Sequence, residues 1–340
     1  MATAPRPERQ SRVRFLITGG AGFIGSHLAD RLLARGDEVV ALDDLSTGSA
    51  TNIAHLEEVP TFSLVRGTIL DHPLVSGLVA KADVVVHLAA AVGVKLIVDH
   101  PLESLITNIR GTEIVLDTAA RWERKILLTS TSEIYGKNAS GPLSEDADRI
   151  LGSPFKARWS YSTAKAVDEI LARAYWRDRG VPAIVARLFN CVGPRQTGDF
   201  GMVVPRFARQ ALMGADLTVF GDGEQRRCFC HVFDTVDALI ALLDDPEAVG
   251  DVYNVGATLE LTMNQLAERI IAASGSSSKI VHIPYDEAYE EGFEDMERRV
   301  PDISKIRALT GWEPKLGLER ILTDALESER HAVASADPAP

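Results

Sequence analysis

RFLITGGAGFIGSHLADRL, residues 14–32, joins an apolar run to a segment of helical period through three glycines. Gly19, Gly22 and Gly25 are spaced GxxGxxG, and the helix has to begin inside the motif. Glycines allow a tight turn and a close approach to a pyrophosphate, while the new helix offers unpaired N–H groups and its positive dipole end. A second apolar run, EVVAL at 38–42, leads to an acid, Asp43. Strand, glycines, helix, strand and acid together predict a dinucleotide site, with Asp43 on the adenosine ribose hydroxyls. A carboxylate there repels a 2′-phosphate and favours NAD over NADP. Asp44 is either a second contact or a loop acid.

Outward from this unit the same alternation continues, with β-branched runs FSLV (62–65), DVVVHLA (83–89), KILLTS (125–130) and AIVARLF (183–189) separated by helical-period segments. The runs are apolar on both faces, as in strands covered by helices on both sides. The expectation is an α/β fold, a Rossmann-type doubly wound parallel sheet over residues 13–190, with ligands at the strands' carboxyl ends. After Asn190 the pattern turns irregular, which predicts a smaller substrate-binding domain over 191–328, some of whose segments return to the first domain. Residues 1–12 and 329–340 read as disordered tails. The acidic run YDEAYEEGFEDMERR (285–299) lacks the ordered spacing of a calcium loop and reads as solvated.

A net charge of −12 disfavours attraction to nucleic acid or anionic membrane, so a phosphate-bearing ligand needs locally placed cations or backbone amides. Three cysteines do not make a disulfide framework, and the polar start MATAPRPERQSR lacks an apolar signal core, so a cytoplasmic location is expected. Cys228, Cys230 and His231 look like a metal cluster, but alternate strand residues share a face and leave His231 on the other side; no metal is expected. Tyr175 and Trp176 read as helix packing.

Tyr161 and Lys165, in YSTAK, stand four apart on one helix face. Beside a dinucleotide, an ammonium that lowers the tyrosine pKa makes a base for a hydroxyl proton. With these residues the chain resembles the extended short-chain dehydrogenase/reductases that act on nucleotide sugars. The resemblance runs from about residue 14 to 326 through TGGAGFIG, LDDLSTG, HLAA (87–90), NIRG (108–111), TSTSEIYG (129–136), YSTAK, RLFNCVGPRQ (187–196) and RRVPDISKIRALTGWEP (298–314). One departure is Thr68, where the family commonly has an Asp facing adenine.

The resemblance implies that Tyr161 and Lys165 are catalytic with Thr131, and that NAD stays bound through a redox-neutral cycle. It assigns Phe23, Ile24, Ile69, Leu88, Ala89 and Ala90 to the cofactor site beside the glycines and Asp43. Within the family, 4-epimerases carry a hydroxyl-rich SSxxVYG, 4,6-dehydratases carry T-D-E with an Asp that protonates the leaving hydroxide, and UDP-glucuronate decarboxylases carry T-S-E. Thr131-Ser132-Glu133 matches the last pattern and implies decarboxylation of UDP-glucuronate, with UDP-4-keto-pentose or UDP-xylose as product. The alternatives are a UDP-sugar 4-epimerase and a non-catalytic NAD-binding regulator. The resemblance makes Glu133 catalytic, orienting the sugar near C5 and managing protonation of the enolate, and assigns Ser132 to the sugar. Arg227 and Arg299 are assigned to pyrophosphate or sugar, with Arg299 or a water relay protonating C5. Asn190 is assigned to phosphate or sugar, and Val204 and Phe220 to the nucleobase. Lys95 is either a partner of the sugar carboxylate or a solvated loop lysine. Helices near 101–121 and 161–179 are where family members dimerise, so a homodimer is expected.

Overall fold

In the computed structural model, which describes residues 12–93, 100–198, 202–288 and 294–336, the alternation of strand side chains divides the first domain into two cores. Phe15 and Ile17 of β1 (Arg14–Thr18) enter one core, and Leu16 enters the other. β2 (Glu38–Asp43), β4 (Val84–His87), β5 (Lys125–Thr131) and β6 (Ala183–Leu188) divide their residues in the same way, whereas β3 (Phe62–Arg66) is the half-exposed edge. One face is covered by α1 (Phe23–Arg35) and the other by α2 (His72–Val79), α3 (Gly111–Arg121) and α4 (Ser160–Arg179). Two-sided burial is why these strands read as continuous apolar runs.

Later in the chain come β7 (Cys191–Val192), α5 (Val203–Leu212), β8 (Leu217–Phe220), β9 (Arg226–Cys228), β10 (Cys230–His231) and α6 (Val232–Asp244). They are followed by β11 (Val252–Val255), β12 (Glu260–Thr262), α7 (Met263–Ser274), β13 (Ile280–Ile283), β14 (Arg298–Arg299) and α8 (Leu318–Ala336). The seven-stranded sheet has the order β11-β6-β5-β4-β1-β2-β3 with parallel pairing. Several segments beyond residue 190 return to the first domain: α6 packs on α1, β11 extends the sheet edge, and Ile303, Ile306 and Trp312 enter the same core. A third core, from α5, α7 and α8 with β8, lies outside this sheet.

The strand order reverses between β1 and β4, which opens a crevice at their carboxyl ends, where open α/β sheets bind ligands. One expectation is corrected at the C-terminus. The tail predicted from residue 329 is helical to Ala336, because α8 carries Ile321, Leu322 and Ala325 into the third core and Glu329 is itself buried.

Candidate active site

The glycine loop sits in the crevice for steric reasons. Gly19 has φ of +73°, and a side chain on it would lie 2.8 Å from the Ala89 amide nitrogen. A side chain on Gly25 would run into the Gly19 carbonyl. The N-cap of α1 is Gly22, and no side chain caps it, so the first-turn amides at Phe23, Ile24 and Gly25 keep their donors for an anion. Asp43 closes β2 beside them, its Oδ2 accepting from the Ala21 amide at 2.9 Å and its Oδ1 from the Leu45 amide at 2.8 Å. Burial raises its pKa, and those amides oppose the rise. The Gly22 amide is a third donor, and since a carboxylate offers about four acceptor positions, about one remains for a ribose hydroxyl.

Asp44 is exposed, and its Oδ1 accepts from the Ser46 amide at 2.9 Å and hydroxyl at 2.6 Å. Leu88 and Ala89 are tied to β1 through the Thr18 carbonyl and hydroxyl, Ala90 follows at the rim, and Ile69 is buried beneath Gly111. This cradle fits a dinucleotide: uncapped amides for phosphate, a buried carboxylate for ribose, and no room for side chains where the backbone must come close.

Across the crevice, Thr131 ends β5, and its hydroxyl accepts from the Glu133 amide at 3.2 Å. That cap starts a single 3-10 turn, Ser132–Tyr135, with Ser132 buried and Glu133 turned inward. Glu133 Oε2 accepts from Arg158 Nη1 at 2.6 Å and Oε1 from Arg299 Nη1 at 3.4 Å. Burial pushes the carboxyl up, but the two guanidiniums outweigh it and hold its pKa at about 2. Glu133 is therefore an anion at neutral pH.

The arginines arrive by register. β14 pairs with β9 so that Arg299 lies beside Arg227 and Arg298 beside Arg226. The first pair faces the site, while Arg298 is held outside by Glu260 at 2.8 and 3.0 Å. Burial and the neighbouring Arg227 lower Arg299 to about 10. Arg227 Nη2 donates to Asp295 Oδ2 at 3.1 Å, and Arg158 Nη2 stands 4.0 Å from Asp295 Oδ1.

Several expectations change. The Lys165 ammonium pairs with Asp168 at 3.1 Å, both groups buried, and burial with the charges of Glu133 and Asp168 pushes the Tyr161 phenol above its usual range. Asn190 spends its amide inside the protein, accepting from Arg299 Nη2 at 2.7 Å and donating to the Cys228 carbonyl at 2.8 Å, so it orients the arginine. Val204 is 1% exposed within the third core and offers no side-chain surface to a base in this conformation. Phe220 is half-buried, with the Arg206 guanidinium 4.2 Å from its ring centroid. Lys95 lies outside the described residues.

The acidic run does not end in solvent. Glu294 accepts from Lys156 at 2.5 Å, Trp159 Nε1 at 3.0 Å and Lys137 at 3.2 Å, and Asp295 joins the arginines. Cys228 and Cys230 are buried, each thiol pushed up to about 12 by burial. His231 caps α6 by accepting from the Phe233 amide at 3.1 Å and contacts Asp324 at 3.0 Å. Tyr175 and Trp176 pack on the second sheet core. Arg158 and Asp168 were missed in the sequence, although each carried a signal: Asp168 continues the Tyr161 and Lys165 stripe at helical spacing, and Arg158 stands three residues before Tyr161.

A doubly wound sheet with this glycine loop, and a Tyr161–Lys165 helix facing a Thr131 turn, define an extended short-chain dehydrogenase/reductase. Residues 16–325 match the family described as GDP-mannose 4,6 dehydratase, and the chain belongs to that family. It is 41% identical to a UDP-N-acetyl-alpha-D-glucosaminuronate decarboxylase of Bacillus cytotoxicus over 92% of this chain and 97% of the relative. It is 37% identical to UDP-glucuronic acid decarboxylase 1 of Arabidopsis thaliana over 96% of this chain and 72% of the relative. Among solved structures, it is similar to the UDP-glucuronic acid 4-epimerase of Bacillus cereus in complex with UDP-glucuronic acid and NAD, with a TM-score of 0.85 and 29% identity over 94% and 99% of the two chains.

Proposed function

We propose that the protein is an NAD-dependent decarboxylase of UDP-glucuronate. The observation that carries this reading is the Thr131-Ser132-Glu133 turn, with Glu133 ionised between Arg158 and Arg299. A dehydratase needs an acid for its departing hydroxide; a serine precedes Glu133 here, and Glu133, with a pKa of about 2, has no proton to give. Removal of a carboxylate needs no such acid. The relatives that carry the decarboxylase name support the same choice.

In this reading the amides of Phe23, Ile24 and Gly25 hold the NAD pyrophosphate, and Asp43 holds its adenosine ribose. When bound, NAD supplies the oxidising power at C4 of the sugar. Tyr161 takes the C4 hydroxyl proton, with Lys165 and Thr131 beside it. The resulting ketone stands β to the C5 carboxylate, so carbon dioxide departs and its electron pair spreads into an enolate. Glu133 keeps Arg158 and Arg299 fixed rather than donating a proton. Three guanidiniums against two carboxylates leave one excess positive charge at this end of the crevice, suited to an anionic sugar nucleotide. C5 is then protonated by water held there or from Arg299. The product is UDP-4-keto-pentose, or UDP-xylose if the cycle closes before release.

Incubation with NAD and carboxyl-labelled UDP-glucuronate tests this. Labelled carbon dioxide in step with sugar loss is expected; a mass-neutral isomer would establish a 4-epimerase instead. A second reading, that the sugar carries an acetamido group at C2, is favoured by the 41% identity to the Bacillus cytotoxicus enzyme, and a parallel incubation with UDP-N-acetylglucosaminuronate decides between them. We further infer a cytoplasmic homodimer. Leu102 and Ile170, 71% and 66% exposed, support pairing through the 101–121 and 160–179 helices, and light scattering at twice the chain mass is the expected result.

A further inference from the structure

Glu133 and Arg299 meet at 3.4 Å, yet each is carried by a short piece of chain: the single turn Ser132–Tyr135 and the two-residue strand β14. What lies beneath them has to fix their separation. Ile134 and Tyr135 of the turn pack with Leu143 and Phe189 in a fourth, small core, and Phe189 precedes the Asn190 that accepts from Arg299. Leu143 runs beside the chain that follows Arg299, its amide donating to the Val300 carbonyl at 2.8 Å and its carbonyl accepting from the Asp302 amide at 2.9 Å. Apolar contact is non-directional, and four side chains do not by themselves fix how the turn stands against that segment.

Asn254 of β11 supplies the direction. It is 0% exposed; its Oδ1 accepts from the Tyr135 hydroxyl at 2.7 Å, and its Nδ2 donates to the Leu143 carbonyl at 2.8 Å and the Asp302 carbonyl at 3.2 Å. The orientation of this amide is forced. Two carbonyls can only accept, and the Tyr135 oxygen already receives Arg187 Nη1 at 2.8 Å, so the tyrosine proton goes to Oδ1. The surroundings are anchored in turn: the Asn254 backbone amide donates to Glu145 Oε1 at 2.8 Å, and Arg187 is held by Glu169 at 2.7 Å. Tyr135 stands two residues after Glu133, and Asp302 three residues after Arg299. One buried amide therefore bridges the two segments that bring the opposed charges together.

We propose that Asn254 is a positioning residue of the active site: its side-chain amide holds the Glu133 turn against the segment that follows Arg299, and so sets the contact between the two charges. It acts through the Tyr135 hydroxyl and the Asp302 carbonyl. The inference rests on the reading in which Glu133 and Arg299 act together on the sugar, and its first test contains no sugar.

Denaturant unfolding of Glu133→Gln, Arg299→Met and the double variant gives the coupling between Glu133 and Arg299, and the equivalent cycle with Arg158→Met gives the coupling between Glu133 and Arg158. Both cycles are repeated in Tyr135→Phe, which keeps the ring and removes one bond, and in Asn254→Leu, which keeps the size and removes all three. The Glu133–Arg299 coupling should fall by about half or more in each background, with the Glu133–Arg158 coupling unchanged, because Arg158 enters from the segment before α4. A merely structural role lowers both couplings alike or neither, and either result overturns the proposal. Near-ultraviolet circular dichroism reports folding; where Asn254→Leu does not fold, Tyr135→Phe alone decides. In turnover of whichever UDP-uronate the enzyme decarboxylates, Tyr135→Phe should lower kcat about tenfold with KM and NAD affinity within about twofold, and should cost nothing further in Glu133→Gln. An undiminished kcat, or an equal loss in the Glu133→Gln background, overturns the proposal. Absence of decarboxylation by the wild type overturns the reading of the function instead, and the unfolding cycles then decide this one.

Discussion

From Gly19 to Gly25 the site is built of backbone: an uncapped helix start, a left-handed glycine, and places where a side chain cannot stand. Around Glu133 it is built of side chains from separate stretches, with Arg158 from the start of the Tyr161 helix, Arg227 from β9, and Asp295 and Arg299 from the segment ending in β14. The first half is fixed by local chain geometry and tolerates no added atom. The second is fixed by mutual charge, and each member is held only while its partners are present. In the proposed reading, the rigid half meets a ligand common to many reactions, and the half that a single substitution can rewire selects the bond that breaks.

Substitutions that exploit this difference should separate binding from chemistry. Gly25→Ala places a side chain against the Gly19 carbonyl, and NAD affinity measured by calorimetry should fall at least about a hundredfold. Arg158→Met leaves Glu133 with only its 3.4 Å partner; the loss should be about 3 kcal/mol in denaturant unfolding, with NAD affinity little changed.

The two halves should also lose stability in different pH windows. His87 has a folded pKa near 3, below its unfolded value, so the unfolded chain binds the extra proton. Stability should therefore fall with decreasing pH from about 6.5 downward, with a slope of about 1.4 kcal/mol per pH unit that His87→Gln removes. Glu133, depressed to about 2, contributes stability above its unfolded pKa that is lost only as the pH falls through about 4.5 towards 2, and Glu133→Gln should flatten that lower window alone. The smallest effect is expected at Asp44→Asn, within about twofold in NAD affinity, since that carboxylate serves Ser46.

The same contrast explains what could be read without coordinates. β1, the glycine turn and Asp43 are contiguous, and period and spacing suffice for them: RFLIT is β1 to the residue. Tyr161 and Lys165 share one helix and were equally legible, and Asp168 belonged to the same stripe. Asp295 was not legible, and Arg158 carried only its spacing from Tyr161, because a charge in a polar stretch looks solvated until β9 and β14 pair and bring Arg227 and Arg299 together. For the same reason the run at 285–299 looked like a solvated loop, although Glu294 and Asp295 bind Lys156 and Arg227. The direction of the Lys165 ammonium was hidden too, since helical spacing says which residues are neighbours and not which neighbour wins a proton or an ion pair.

The central claim is that the turn after β5, through ionised Glu133, commits the enzyme to decarboxylation. Its most direct test is the initial rate of labelled carbon dioxide release from UDP-glucuronate by wild type and Glu133→Gln, with NAD affinity measured on the same samples. A fall of at least about a hundredfold in kcat with NAD affinity unchanged is expected. Release at the wild-type rate by the variant would contradict the claim.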